Sequence, residues 1–128
     1  MFADANAYER FMGRWSRLVA PQLVDFTEVS NHGHLLDVGS GTGALAFSLA
    51  ERKPRVHVRG IDPSKEYVEY ANSRNPFPDR VTFETGDAQQ LRLADASFDA
   101  SLSLLVFNFI PDPIKALREV RRVTKPGG

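Results

Sequence analysis

Leu35-Leu36-Asp37-Val38-Gly39-Ser40-Gly41-Thr42-Gly43-Ala44-Leu45-Ala46 is the stretch on which the reading of this chain turns. Three glycines at alternate positions separate an apolar run ending at Val38 from a segment of helical period that begins near Ala44. That order predicts a strand, a tight turn and the start of a helix. Glycine serves where the backbone takes positive φ or where a ligand approaches closer than a Cβ allows, and a helix opening leaves unpaired N–H groups facing that ligand. The loop is therefore suited to a nucleotide-like molecule. The glycine spacing leaves two classes open, because a dinucleotide fingerprint tolerates alanine at its third glycine position, here Ala44. Asp37 adds a second signal. At the carboxyl end of the strand, a carboxylate suits a cationic amine better than a pyrophosphate, which it would repel.

Composition narrows the setting. A chain of 128 residues is one small domain with room for a core, and 16 basic residues balance 16 acidic ones. No net field points to nucleic acid or to an anionic membrane surface. The absence of cysteine removes disulfides, thiolate metal sites and thiol nucleophiles together. Met1 to Arg17 has no continuous apolar run, so a signal peptide or membrane span is not expected there, and a cytoplasmic protein is. His32, His34 and His57 have no metal-ligand spacing and are read as structural; no metal site is expected.

Outward from the glycine loop, the pattern alternates strand and helix. Tyr8, Phe11, Met12, Trp15, Leu18 and Val19 fall at helical spacing, which predicts an amphipathic helix from Ala7, broken near Pro21 and followed by a short helix carrying Leu23 and Phe26. Its aromatic stripe is expected to lie on the rim of a sheet. A second strand, Val56 to Ile61, ends in Asp62-Pro63. An acid at the tip of a second parallel strand lies where two ribose hydroxyls arrive, and a carboxylate accepts from both. Ser64 is at hand to cap the following helix, which leaves Asp62 for a ligand. A third strand from Val81 to Glu84 leads into Gly86-Asp87-Ala88, and Ser97-Phe98-Asp99-Ala100 opens a fourth that runs to about Leu105. Asp112-Pro113 is a helix start, an N-cap acid followed by proline at the first helical position. Arg118, Arg121 and Arg122 on that helix read as a solvated charged face.

The Asp-x-Gly-x-Gly-x-Gly run resembles the first motif of the class I S-adenosylmethionine-dependent methyltransferases of the small-molecule type. Gly86-Asp87-Ala88, Phe98-Asp99 and the closing Thr124-Lys125-Pro126-Gly127-Gly128 fit the same family in the same order. The resemblance implies an α/β fold: a Rossmann-like parallel sheet with helices on both faces, preceded by N-terminal helices. It further implies that Asp37, Gly39, Ser40, Gly41 and Gly43 hold the methionine and ribose portion of S-adenosylmethionine. Asp62 and Pro63 would hold the ribose, Asp87 and Ala88 the adenine edge, and Ser103 and Leu104 would pass beneath the methionine moiety. An N-terminal helix often forms a lid in such proteins, which would bring Tyr8, Arg14 or Arg17 over the cofactor, Arg17 against its carboxylate. A surface arginine without a partner is the other reading of Arg17. Where many members carry a histidine pair, this chain has Asn108-Phe109, so no catalytic residue is assigned and direct displacement of the methyl group is expected.

The family's domain has seven strands, and this chain supplies strands one to four. It is therefore expected to be truncated, with a lid segment over residues 1–30 and an incomplete cofactor-binding domain over 31–128. An exposed fourth strand is a template for association, so a homodimer or higher oligomer is expected, by edge pairing or segment exchange. Two other functions stay open: a non-catalytic binder of S-adenosylmethionine or its product S-adenosylhomocysteine, and a nicotinamide-dependent dehydrogenase.

Overall fold

The computed structural model describes residues 5–104 and 109–128, the side chains of Tyr8 and Phe11 excepted. Strands β1 (His32–Val38), β2 (Arg55–Asp62), β3 (Val81–Thr85) and β4 (Ala100–Leu102) form one parallel sheet in the order β3-β2-β1-β4. Helix α3 (Ala44–Arg52) links β1 to β2, α4 (Lys65–Ser73) links β2 to β3, and α5 (Pro113–Val123) follows β4. Before the sheet stand a short α1 (Ala5–Tyr8), a π-helical turn (Glu9–Gly13) and α2 (Arg14–Thr27).

Alternation along β1 sets the layers. Leu35 and Leu36 are neighbours on opposite faces, and both are fully buried. Leu35 joins Ala20 and Val24 of α2, Leu49 of α3 and Val68 of α4, whereas Leu36 and Val38 join Ile61, Leu91, Phe98 and Val123 of α5. Helices thus cover both faces, as an all-parallel sheet requires. Helix starts follow local chemistry: the Ser64 hydroxyl accepts from the Tyr67 N–H at 3.2 Å, and Asp112 accepts from Lys115 at 3.1 Å ahead of Pro113.

Three expectations are corrected. Pro21 does not break the helix; α2 runs through it. A proline inside a helix costs about 3 kcal/mol locally, but Ala20 and Val24 on either side are 0% and 1% exposed in the core, and that packing carries the helix across. Of the expected stripe, Trp15, Leu18 and Val19 are exposed, as is Phe26 further along, and Ser16, Ala20 and Val24 at four-residue spacing form the inner face of α2. Small side chains there let α2 approach α3 closely. Arg122 is not a solvated charge. It donates to the carbonyls of Leu91 and Leu93, both at 2.8 Å, and pairs with Glu119 and Asp95, both at 2.7 Å. Glu119 also accepts from the Leu91 N–H at 2.8 Å, so this helix clamps the segment leading away from Gly86-Asp87-Ala88.

The fourth strand is short, ending at Leu102 with Ser103 and Leu104 already outside it, and the expected end at Leu105 lies outside the described residues. β4 pairs with β1 alone, leaving its other edge without a strand partner among the described residues. Asp99 ties the start of β4 down, accepting from the His34 N–H at 2.8 Å and from Lys125 Nζ at 2.9 Å.

Gly60 lies opposite Asp37 in the β1–β2 register, and a Cβ there would stand 2.6 Å from Phe83 Cδ1 and 2.7 Å from Ser40 Cβ. Overpacking of this kind costs about 1–3 kcal/mol. Gly60→Ala is expected to lower the unfolding free energy by that amount, read by circular dichroism as a lower urea midpoint at an unchanged m-value. A wild-type midpoint would show that the glycine loop is not seated on β2 as described.

Candidate functional site

The site lies at the carboxyl ends of β1, β2 and β3, where the strands release their chain into loops. Gly39, Gly41 and Gly43 have φ of 74°, 55° and 101°, which a side-chain-bearing residue adopts only at a cost. The loop they make folds back on β2: the N–H groups of Gly39 and Ser40 both donate to the Ile61 carbonyl, at 2.8 and 3.0 Å. The next donor, Gly41 N–H, reaches Asp62 Oδ2 at 2.9 Å, and Asp62 Oδ1 accepts from Ser64 N–H at 2.8 Å. α3 then opens at Gly43, which has no capping side chain.

Two cavities flank Gly39. The larger, about 250 Å³, is walled by Gly39, Asp62, Pro63, Asp87 and Ala88, with Phe109, Ile110 and Pro111 opposite. The smaller, about 10 Å³, is lined by Asp37, Ser40, Thr42 and Leu104 under Ser16 of α2. The structure therefore gathers Asp62, Pro63, Asp87 and Ala88 around one hollow and Asp37, Ser40 and Leu104 around the other, with Gly39 in both. Ser103 sits beside them, donating to the Val38 carbonyl at 2.9 Å. Arg17 is half-exposed and paired with Glu9, not free. The side chain of Tyr8 lies outside the described residues, as does Asn108.

Electrostatics distinguish the acids. Asp37 is buried, and its Oδ2 has no hydrogen-bond partner, like the Ser40 hydroxyl near it. Burial, then the charge of Asp62, push its carboxyl up to about 7, although a bond from the Ala46 N–H opposes this. Burial also raises Asp62, against the two backbone bonds it accepts. A buried carboxyl oxygen without a partner is a costly feature that an ammonium group would satisfy. Asp62 keeps a lone pair on each oxygen beyond its backbone bonds, enough for two hydroxyl donors. Asp87 is exposed, with Oδ1 accepting from the Gln89 N–H at 2.9 Å and from the Gln89 amide at 3.1 Å. These residues fit a ligand with a cationic amine, a ribose and a purine. The histidines stand elsewhere: His34 and His57 stack with centroids 5.3 Å apart, three or more residues back from the strand tips. No group of acids and histidines able to hold a metal occurs among the described residues.

Sequence reasoning missed several members. Thr42 and Ser16 line the small cavity, and Gly60 supports the loop from below. Thr42 lay inside the quoted motif and was legible as a hydroxyl among glycines. Ser16 was hidden by the aromatic residues around it, and Gly60 by its place in an otherwise ordinary strand.

Residues 36–128 match the methyltransferase domain family. The 27-O-demethylrifamycin SV methyltransferase of Amycolatopsis mediterranei is 41% identical over 97 residues, covering 73% of this chain and 35% of that protein. The ubiquinone/menaquinone biosynthesis C-methyltransferase UbiE of Paracoccus denitrificans is 36% identical over 118 residues, covering 88% of this chain and 46% of that one. This chain thus spans less than half the length of these relatives. A chain solved in complex with the Haloferax volcanii Trm112 methyltransferase activator superposes over 100% of this chain and 58% of its own, with TM-score 0.88 and 26% identity.

The raised Asp37 carboxyl has a consequence for stability. An unfolded aspartate ionises near 4, whereas Asp37 in the fold holds its proton to about 7. The folded chain therefore binds more protons in that window, and its stability falls as pH rises from about 4 to about 7. Relative to Asp37→Asn, wild-type stability is expected to drop by roughly 2–4 kcal/mol across that interval in urea titrations, and to stay level above it. A constant difference between the two proteins would show that Asp37 titrates normally.

Proposed function

The chain belongs to the methyltransferase domain family, and on that premise we propose that it is the cofactor-binding part of an enzyme that transfers a methyl group from S-adenosylmethionine to a small-molecule acceptor in the cytoplasm. The family's cofactor is S-adenosylmethionine, with S-adenosylhomocysteine as product. The observation that carries the reading is the pair of cavities meeting at Gly39: an unpartnered buried carboxyl oxygen on Asp37 at one end, Asp62 and Asp87 at the other. A nicotinamide dinucleotide has no ammonium group to place against Asp37, and family membership sets that alternative aside.

When bound, the cofactor supplies a sulfonium methyl whose leaving group is already activated by charge. This chain's residues then have binding and orienting roles. Asp37 accepts from the ammonium and becomes fully ionised beside it. Asp62 accepts from the two ribose hydroxyls, held in place by Gly41 and Ser64 N–H groups and adjoining Pro63. Asp87 accepts from the adenine amine, with the Ala88 backbone on the same edge. Gly39, Ser40, Gly41 and Gly43 let the chain pass close beneath the ligand, and Ser103 and Leu104 close the methionine end. Tyr8 and Arg17 belong to the N-terminal cover, Arg17 meeting the carboxylate. No general base is assigned, because orientation against an activated methyl suffices.

A small acceptor is supported by the balanced charge, 16 basic against 16 acidic residues, and by relatives named for a rifamycin and for quinone biosynthesis. Binding without turnover is the second reading. Adding acceptors such as a demethylmenaquinone to the loaded protein and following methyl transfer separates the two.

The first test is calorimetric titration with S-adenosylhomocysteine, with NAD as a control. Saturable binding is expected, weakened at least roughly tenfold in Asp62→Ala by loss of charge-assisted hydrogen bonds. NAD binding as tightly as S-adenosylhomocysteine would overturn the reading. The free edge of β4 is proposed to pair with a second copy, and sedimentation is expected to show a dimer at micromolar concentration; a monomer throughout that range would exclude it.

A further inference from the structure

Glu9 in the π-helical turn is bound to two groups that the proposed cofactor site also uses. One carboxylate oxygen accepts from the Thr42 hydroxyl in the glycine loop, and the other pairs with Arg17. Gly13 is the residue that makes room for this arrangement. A Cβ at Gly13 would stand 2.7 Å from Glu9 Cδ and 3.0 Å from Arg17 Nη1. Its backbone, at φ −59° and ψ −36°, is ordinary helix that any residue adopts. The missing side chain therefore serves the ion pair lying over it and not the turn. π-Helical turns of this kind are frequent at functional sites.

Thr42 lines the same small cavity as Asp37. The amino-acid end of a ligand carries an ammonium and a carboxylate on one carbon. Asp37 matches the first, and Thr42 with Arg17 forms a position for the second beside it. In this structure a carboxylate already fills that position, and it belongs to the chain.

We propose that Glu9 is an internal stand-in for the carboxylate of the cofactor, holding the Thr42–Arg17 anion position until a ligand bearing its own carboxylate displaces it. The inference rests on the cofactor reading above and goes beyond it in assigning a competing group. Exchange of one carboxylate for another leaves the charge at the glycine loop unchanged and releases the N-terminal turn from Thr42. A ligand lacking the carboxylate has no need to displace Glu9. The bound population of Glu9 thus weakens carboxylate-bearing ligands selectively, raising their apparent Kd by the reciprocal of the fraction of molecules in which the position is vacant.

The test compares S-adenosylhomocysteine with 5′-methylthioadenosine, which keeps the adenosine and thioether but has no amino-acid end. Both are titrated into wild type, Glu9→Ala and Gly13→Ala, the last crowding the ion pair apart while favouring helix. The preference for S-adenosylhomocysteine over 5′-methylthioadenosine is expected to rise about five- to tenfold in both variants, as one exposed ion pair and its hydrogen bond are removed from competition. Binding of 5′-methylthioadenosine is expected to stay at its wild-type value, and Arg17→Ala to abolish the gain in the Glu9→Ala background. An unchanged preference in both variants, or an equal gain for both ligands, overturns the proposal. Failure of folded wild type to bind either ligand overturns the cofactor reading itself and this inference with it, a result distinct from binding both with an unchanged preference.

Discussion

Everything at the ligand-facing edge of this sheet depends on one carbonyl. Ile61 at the end of β2 accepts from two successive N–H groups of the glycine loop, and the acid that follows it accepts from the third donor in line. A loop so tethered cannot carry Cβ atoms at its positive-φ positions, and the strand below it cannot carry one at Gly60 without striking Ser40. Four of the loop's N–H groups, those of Gly39, Ser40, Gly41 and Gly43, are bonded to a carbonyl or a carboxylate. Its remaining unmet demand is electrostatic.

That demand is concentrated in two acids at adjacent strand tips. Asp62 is buried but well supplied with donors, whereas Asp37 is buried with one oxygen unpartnered. The difference separates their chemistry: one acid is an acceptor already oriented by backbone donors, and the other is suited to a proton or a cation. Placing two carboxylates near each other in a dry pocket destabilises the empty protein. The same placement makes a positively charged ligand stabilising, since it relieves both burial and mutual repulsion.

The parts of this design legible in the sequence were the local ones. Asp37, the alternate glycines and Asp62 declare themselves because strand tip, turn and acid fall within a short run whose geometry needs no distant partner. The four parallel strands follow from apolar runs separated by helical periods. The N-terminal helix is not legible in this way, because large residues at helical spacing suggest the buried face, whereas packing on α3 selects Ser16, Ala20 and Val24. Pro21 misled for a related reason, a local rule outweighed by packing. Arg122 looked like surface charge on its own helix, and only the path of the chain some thirty residues earlier reveals the carbonyls it binds. Glu9 was invisible for the same cause, as its partner Thr42 is 33 positions away.

Arg122 also sets an order of assembly. The wall that includes Asp87 and Ala88 is carried by a segment whose downstream end is fastened to α5 through Leu91 and Leu93. A chain emerging from the ribosome presents its glycine loop and both strand-tip acids early. The opposite wall acquires its anchor only after residue 122 has been released. During synthesis the cavity therefore exists first as a half-site, open on its Asp87 side until the last described helix docks.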